Sequence, residues 1–294
     1  MRQPKIIFVN RVYWPDEAAT AQLLTDLATE LVTRGWQVHV VTSGNGSASC
    51  AGVAVHRVGG TGPRDNLLRR FWHDCRFLLE VRRAVKRLAE PGDVVVLKTD
   101  PPLLAVALTA TALARGARVL HWIQDIYPEL VPRHAGRWLS PCFAPLRWLR
   151  NCAWRDSRHC LVPSADMRPL VEQSGGPAVS VTVIPNWAPR DLESPATGVA
   201  VAQLRSTWGL SGKFVVVYSG NLGRVHEFDT LLRAAILLRH DDAVVFAMVG
   251  DGPRRAEVET FVAQQALANV RFFPLQPRTE LSTSLAVGDI HLVT

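Results

Sequence analysis

Short runs rich in β-branched and aromatic residues alternate along this chain with longer stretches in which apolar residues recur every three to four positions. The first pattern marks strands and the second marks amphipathic helices. Strands are predicted at KIIFVN (5–10), WQVHVVT (36–42), VAVHRV (53–58), DVVVLK (93–98), ARVLHWI (117–123), HCLVP (159–163) and VSVTVIP (179–185). Four more follow at FVVVY (214–218), AVVFAMV (243–249), NVRFFP (269–274) and DIHLV (289–293). Helix-length segments separate most of them. In TAQLLTDLATELVTRG (20–35), Leu23, Leu24, Leu27, Leu31 and Val32 line one face and Gly35 ends the run. The apolar stretch PPLLAVALTATALA (101–114) is too short to span a bilayer and reads as a buried helix.

This alternation predicts an α/β fold of parallel sheets with helices on both faces, and it occurs twice. The break falls at NWAPRDLESPATG, where prolines and polar residues interrupt the pattern. The expected organisation is a domain over 1–185, a linker over 186–198 and a second domain over 199–294. Open parallel sheets bind ligands beyond the carboxyl ends of their strands. Functional residues are therefore expected in the loops VYWPDEAAT, LKTDPP, WIQDIYPE, SGNLGR, VGDGPRR and FPLQPR.

Composition alters this picture mainly through charge. At 294 residues and 48% hydrophobic, the chain can bury a substantial core. Its five cysteines include no C-x-x-C pair, and no H-E-x-x-H occurs, so neither a disulfide framework nor a zinc site is supported. They read as small buried hydrophobes in a reducing cytosol. The amino terminus runs straight into a strand, without the apolar core and cleavage site of a signal peptide.

The net charge of +7 is unevenly held: residues 1–190 carry 24 Lys and Arg against 15 Asp and Glu, and residues 191–294 carry 9 against 11. Within the basic half, segments 64–88 and 137–158 interleave arginines with Phe71, Trp72, Trp138, Trp148 and Trp154. That mixture suits an interfacial helix drawn to anionic headgroups. It equally suits a crossover helix with a solvated arginine face. No nucleic-acid-binding motif accompanies it, and nucleic acid is not expected as a partner.

The stretch VVYSGNLGRVHEFDTLL (216–232) carries the most suggestive chemistry. A strand ending in a glycine turn that opens a helix aims backbone N–H groups and a helix dipole at one point, which suits phosphate. The letters match neither G-x-G-x-x-G nor G-x-x-x-x-G-K-[ST], so a plain strand-to-helix connection competes with an anion cradle.

Taken together, WPDEAATAQLLTDLATELVTRGWQVHVVTS, HWIQDIYPEL, VIPNW, VVYSGNLGRVHEFDTLLRAA, FAMVGDGPRRAEVE and NVRFFPLQP resemble glycosyltransferase family 4, notably its members that build bacterial exopolysaccharide and O-antigen. The segments run in family order from about residue 5 to the last residue. The resemblance implies a GT-B fold of two Rossmann-like, doubly wound domains. It also implies retaining transfer from a nucleotide sugar held by the second domain to an acceptor held by the first. A basic, aromatic-studded first domain fits a lipid-linked glycan acceptor and peripheral attachment to the inner face of the cytoplasmic membrane.

Cleavage of the donor leaves charge on a diphosphate, and no D-x-D is present to hold a metal there. No metal or other cofactor is therefore expected. The resemblance places Arg224, Asp125 and Gln124 at the catalytic centre, with Arg224 able to fork onto diphosphate oxygens. It places Gly220, Asn221, Gly223, His226 and Ala19 at the donor phosphates, Leu275 and Gln276 at the base, and Lys98, Thr99 and Asp100 on the acceptor side.

Several positions depart from the family. Asn221 and His226 stand where many members have Arg and Lys, Ala18-Ala19-Thr20 stands where paired glycines are usual, and Gln124 replaces His. Gln124 can hydrogen-bond a sugar or phosphate but cannot act as acid or base. Members also continue past a strand like DIHLV into a segment with two glutamates eight residues apart. The chain ends at Thr294, so the second domain is expected to be incomplete and transfer by a truncated chain weak. The alternatives are a nucleotide-binding remnant or scaffold and a nucleotide-sugar epimerase; Gln124 in place of His counts against the epimerase.

Overall fold

In β1 (Lys5–Val9), Ile7 and Val9 point one way and Phe8 the other, and all three are buried. A strand buried on both faces needs a helical layer on each side. The computed structural model supplies both layers. It describes residues 2–16, 18–45, 47–59, 67–129, 141–188, 192, 196–223 and 226–293. The chain divides into two compact units, Met1–Trp187 and Ala188–Thr294.

The first unit is built on an eight-stranded sheet. After β1 come β2 (Gln37–Ser43), β3 (Ser47–Cys50), β4 (Val53–Val58), β5 (Val94–Lys98), β6 (Arg118–Trp122), β7 (His159–Val162) and β8 (Ser180–Val183). Their order is β3-β4-β2-β1-β5-β6-β7-β8, parallel throughout except for the antiparallel pair of β3 with β4. The helices are α1 (Ala19–Thr33), α2 (Leu67–Leu88), α3 (Leu104–Ala114), α4 (Ala144–Ser157) and α5 (Met167–Gly175). On one face, Ile7, Val9, Val95 and Leu97 pack against Phe77 and Val81 of α2 and Leu104 and Leu108 of α3. On the other, Phe8, Val40 and Val96 pack against Leu24 and Ala28 of α1. Helix α3, apolar all round as its sequence reads, buries Leu104, Leu108, Thr109 and Ala112.

The second unit repeats the plan with β9 (Phe214–Ser219), β10 (Val244–Val249), β11 (Val270–Phe273) and β12 (Ile290–Leu292), in the order β11-β10-β9-β12 and wholly parallel. Its helices are α6 (Gly198–Thr207), α7 (Asp229–Leu237), α8 (Arg255–Gln264) and α9 (Leu281–Ala286). Tyr218, Phe246 and Met248 face Leu231 and Leu232 of α7 and Val258 of α8, while Val215, Val217 and Ala247 face Leu210 and Val287.

Strand β3 was not predicted. Its sequence, SASC, is small and lacks apolar alternation, so only pairing with β4 makes it a strand. The aromatic residues of the basic segments also divide. Phe71, Trp72 and Trp148 are 63%, 74% and 62% exposed. Trp154 is 2% exposed, packed in the core beside β7 and β8 with the Arg150 guanidinium 4.2 Å above its ring, so it does not belong to an exposed aromatic face. Trp138 lies outside the described residues.

In both sheets the strand order reverses at the first strand of the unit. β1 has β2 on one side and β5 on the other, and β9 has β10 on one side and β12 on the other. Such switch points open a crevice at the carboxyl ends of the strands, because successive helices leave toward opposite faces.

Candidate functional site

At the first switch point, Arg11 and Asp100 join the loops that follow β1 and β5. Nε and Nη2 of Arg11 donate to the two Asp100 carboxylate oxygens at 2.8 and 2.9 Å, and its backbone N–H donates to Asp100 O at 2.8 Å. This is the bidentate geometry that suits guanidinium and carboxylate. Lys98, the last residue of β5, is buried. Its Nζ donates to Thr20 O in the first turn of α1 at 3.0 Å and lies 3.9 Å from the centre of the Trp122 ring. Burial lowers the Lys98 pKa to about 7, while the Asp100 carboxylate opposes the fall. Ala19 opens α1, whose N-cap residue Ala18 offers no side-chain cap.

Thr99 and Gln124 meet at the ends of β5 and β6, where Thr99 Oγ1 accepts from Gln124 N at 3.3 Å. The Gln124 side chain exchanges two hydrogen bonds with the Asn186 amide, each 3.1 Å, and Trp122 stacks on Trp187 with ring centres 5.8 Å apart. The VIPNW segment is thereby fastened to the end of β6. Asp125 is pushed above the usual carboxylate range by desolvation and, secondarily, by the Asp100 carboxylate. Its loop is pinned by Arg150 of α4, which donates to Tyr127 O at 2.6 Å and to both Glu129 oxygens at 2.5 and 3.0 Å. Beside it, Phe71, Leu78, Pro102, Val106, Tyr127 and Leu146 line an apolar groove of about 300 Å³.

In the second unit the glycine turn after β9 is built against the loop after β10. Gly220 N donates to Val249 O at 3.0 Å, Leu222 N to Asp251 O at 2.9 Å, and Arg254 N to Leu222 O at 3.0 Å. Gly250 has φ +134°, and a Cβ on it would collide with the Gly220 carbonyl; a Cβ on Gly252 would lie 2.5 Å from Leu222 O. The G-D-G spacing therefore lets two loops interlock backbone to backbone.

Helix α7 begins only at Asp229, so the glycine turn does not open directly into it. Glu227 Oε1 accepts from Thr230 N at 3.0 Å, and Asp229 stands in the first turn, so the positive end of α7 faces carboxylates of its own chain. The backbone N–H groups of Gly220, Leu222, Gly223 and His226 each donate to a carbonyl of this unit. The expected helix-dipole cradle is therefore not formed directly at the start of α7.

Tyr218 and His226 are the best-defined of these. The Tyr218 hydroxyl oxygen lies 2.7 Å from Asn221 O and 2.7 Å from His226 Nδ1, and Arg254 Nη1 donates to His226 O at 2.7 Å. Arg224 lies outside the described residues. Leu275 and Gln276 follow β11, Leu275 exposed and Gln276 Nε2 donating to Pro274 O at 2.8 Å. Among the described residues, no group of three or more His, Cys, Asp or Glu could hold a metal. Arg11, Asn186, Trp187, Tyr218 and Arg254 were not singled out from sequence. The VIPNW segment carried a signal for two of them; the others take their roles from partners on other elements or across a loop.

The Glycosyl transferase 4-like domain family matches residues 19–187, more than half of the chain, and the chain belongs to that family. It is 29% identical over 227 residues to WbjE of Pseudomonas aeruginosa, named as a glycosyltransferase, covering 74% of this chain and 54% of that protein. Over 122 residues it is 35% identical to WcaI of Escherichia coli, whose name places it in colanic acid biosynthesis, covering 41% of this chain and 30% of that protein. The chain thus spans about half the length of the first relative and under a third of the second. The Anabaena protein HepE, crystallised with UDP-glucose, shares the fold with a TM-score of 0.69 at 18% identity, over 98% of this chain and 72% of that one. The fold is that of the GT-B glycosyltransferases.

Proposed function

We propose that this chain acts as a retaining glycosyltransferase, moving a sugar from a nucleotide-sugar donor to a lipid-linked or saccharide acceptor in cell-surface polysaccharide synthesis, without a metal ion. The observation that carries the reading is the placement of the polar and glycine-rich loops of both units at the strand-order switch points of their sheets. Family membership supports glycosyl transfer, the UDP-glucose bound by HepE supports a nucleotide-sugar donor, and the name of WcaI supports a polysaccharide product.

In this reading the turn of Gly220, Asn221 and Gly223, with His226 and Arg224, receives the leaving diphosphate, where fixed positive charge lowers the barrier most. Leu275 and Gln276 flank the base, and Ala19 is assigned to the donor phosphates. Gln124 and Asp125 serve the reacting centre, and Lys98, Thr99 and Asp100 border the acceptor. Exposed Phe71, Trp72 and Trp148 among arginines support peripheral attachment at the cytoplasmic face of the membrane. No helix among the described residues is long and apolar enough to cross a membrane.

The test is direct. The chain is incubated with a panel of nucleotide sugars and a polyprenyl-diphosphate-linked acceptor, the product is identified by mass spectrometry, and its anomeric configuration is read by NMR. The reading expects a retained anomer and a rate unchanged by EDTA. An inverted product, or abolition by EDTA, would overturn the mechanism, and nucleoside diphosphate binding with no turnover would favour a binding module.

A further inference from the structure

Tyr218, Asn221 and His226 form hydrogen bonds whose directions follow from counting protons. The hydroxyl oxygen of Tyr218 sits 2.7 Å from a carbonyl oxygen, that of Asn221, and 2.7 Å from His226 Nδ1. A carbonyl cannot donate, so the single hydroxyl hydrogen goes to Asn221. The bond to the imidazole must then come from Nδ1–H. That leaves Nε2 outside this network, and a Cβ on Gly223 would lie 3.6 Å from it, which puts Nε2 against the glycine turn. Phe228 packs on the ring with centres 6.2 Å apart, and Arg254 holds the His226 carbonyl, so neither ring nor backbone is loosely placed.

We propose that Tyr218 is a positioning residue that keeps the neutral His226 imidazole protonated on Nδ1, so that a nucleoside diphosphate binds at the glycine turn with uptake of one proton on Nε2. The proposal rests on the donor-side reading given above. With Nδ1–H held by Tyr218, neutral Nε2 presents a lone pair, which repels a phosphate oxygen. Taking a proton from solvent converts it to N–H, and the imidazolium then donates from both nitrogens, to Tyr218 and to phosphate. No other bond is made or broken. Among the described residues, the ionisable groups bonded to His226 are Tyr218 from β9, at the ring, and Arg254 from the residue before α8, at the backbone carbonyl. Arg224, two positions before His226, lies outside the described residues.

Two measurements test this on the 294-residue chain. Long-range proton–nitrogen NMR of the ligand-free protein at about pH 8 reads the His226 tautomer: Nδ1–H is expected, moving to Nε2–H in Tyr218→Phe. Calorimetric titration with UDP in buffers of differing ionisation enthalpy then counts protons. Uptake approaching one per UDP is expected at pH 8, with affinity falling by up to about tenfold per pH unit. His226→Gln should abolish that uptake, and Tyr218→Phe should flatten the pH dependence because its Nε2–H needs no added proton. An Nε2–H tautomer in the unsubstituted protein, or uptake unchanged in His226→Gln, overturns the proposal. Absence of UDP binding at any pH would instead overturn the donor-site reading, while the tautomer measurement still decides the role of Tyr218.

Discussion

Gln124 and Asn186 exchange two amide hydrogen bonds of 3.1 Å each across 62 residues of sequence. The glutamine that stands at the end of β6 is thus matched, donor to acceptor, by the VIPNW segment. A double-mutant cycle of Gln124→Ala and Asn186→Ala should give a coupling of about 0.5–1 kcal/mol, small because the pair is exposed to water. Urea denaturation measures it, and strict additivity would mean that the amides do not cooperate. Gln124→Glu should cost more than Gln124→Ala, since a carboxylate cannot donate to Asn186 Oδ1.

Lys98 works against the stability of its own fold. An unfolded lysine keeps its proton up to about pH 10.5, whereas folded Lys98 releases it at about 7 because it is buried. Between these values the unfolded state binds more protons, so this residue makes stability rise with pH from about 7 to 10. At or below pH 7 the full penalty is present. Lys98→Met should therefore stabilise the fold at pH 7 by on the order of 1–4 kcal/mol, seen as a higher Tm, with the gain shrinking by pH 10. Thermal melts across this range decide the matter; a loss of stability at pH 7 would show that the contacts with Trp122 and Thr20 outweigh desolvation.

Buried histidines should set the acid limit. His121 is fully buried near Thr109 and the Ala153 carbonyl, and burial lowers its pKa to about 4. His39 and His56 stack with rings 3° from parallel, His39 Nδ1 lies 2.9 Å from His56 Nε2, and burial lowers both. Unfolded histidines take up protons below about pH 6.5 while the folded ones resist, so stability falls as pH drops through that window. His121 alone should contribute a loss of roughly 3 kcal/mol by pH 4. Denaturant titrations of His121→Leu should show a shallower acid slope than the unsubstituted chain.

The glycine interlock predicts an effect beyond local strain. Gly250→Ala places a methyl against the Gly220 carbonyl at a φ that alanine rarely adopts. It should cost about 2–4 kcal/mol and weaken UDP binding, because the turn must withdraw from β10. Pro253→Ala, in the same loop, serves as the control. Equal UDP affinity in Gly250→Ala and in the control would separate the interlock from the binding site.

The tryptophans divide by exposure, with Trp72 and Trp148 at the surface and Trp154 buried. Combined alanine substitution of Phe71, Trp72 and Trp148 should lower binding to anionic vesicles by at least about tenfold while leaving the melting temperature nearly unchanged. Trp154→Ala should do the reverse, costing about 3–5 kcal/mol of stability with little direct effect on vesicle binding. Cosedimentation and thermal melts together check the division.

Much of the fold could be read from local pattern. All eleven predicted strands form, because two-sided burial in a parallel sheet leaves continuous apolar runs such as VVVLK and VVFAMV. β3 escaped because SASC carries no such run. At the candidate site, glycines and polar residues at strand ends were legible as Gly220, Asn221 and Lys98 to Asp100. Their partners were not. Arg11 reaches Asp100 across 89 residues, and Tyr218 finds His226 across 8 that do not form one element.

Sequence alone determined the alternation of strands and helices and its repetition, carried by spacing within short windows, together with the uneven charge, which is a count along the chain, and the family resemblance, which rests on six segments in order. The tertiary structure decided which polar groups are committed to one another. It buried Lys98 beneath Trp122, tied Gln124 to Asn186, detached the glycine turn from the start of α7 and turned Trp154 inward. Those outcomes depend on strand order and helix direction, which bring residues together by packing rather than by position along the chain.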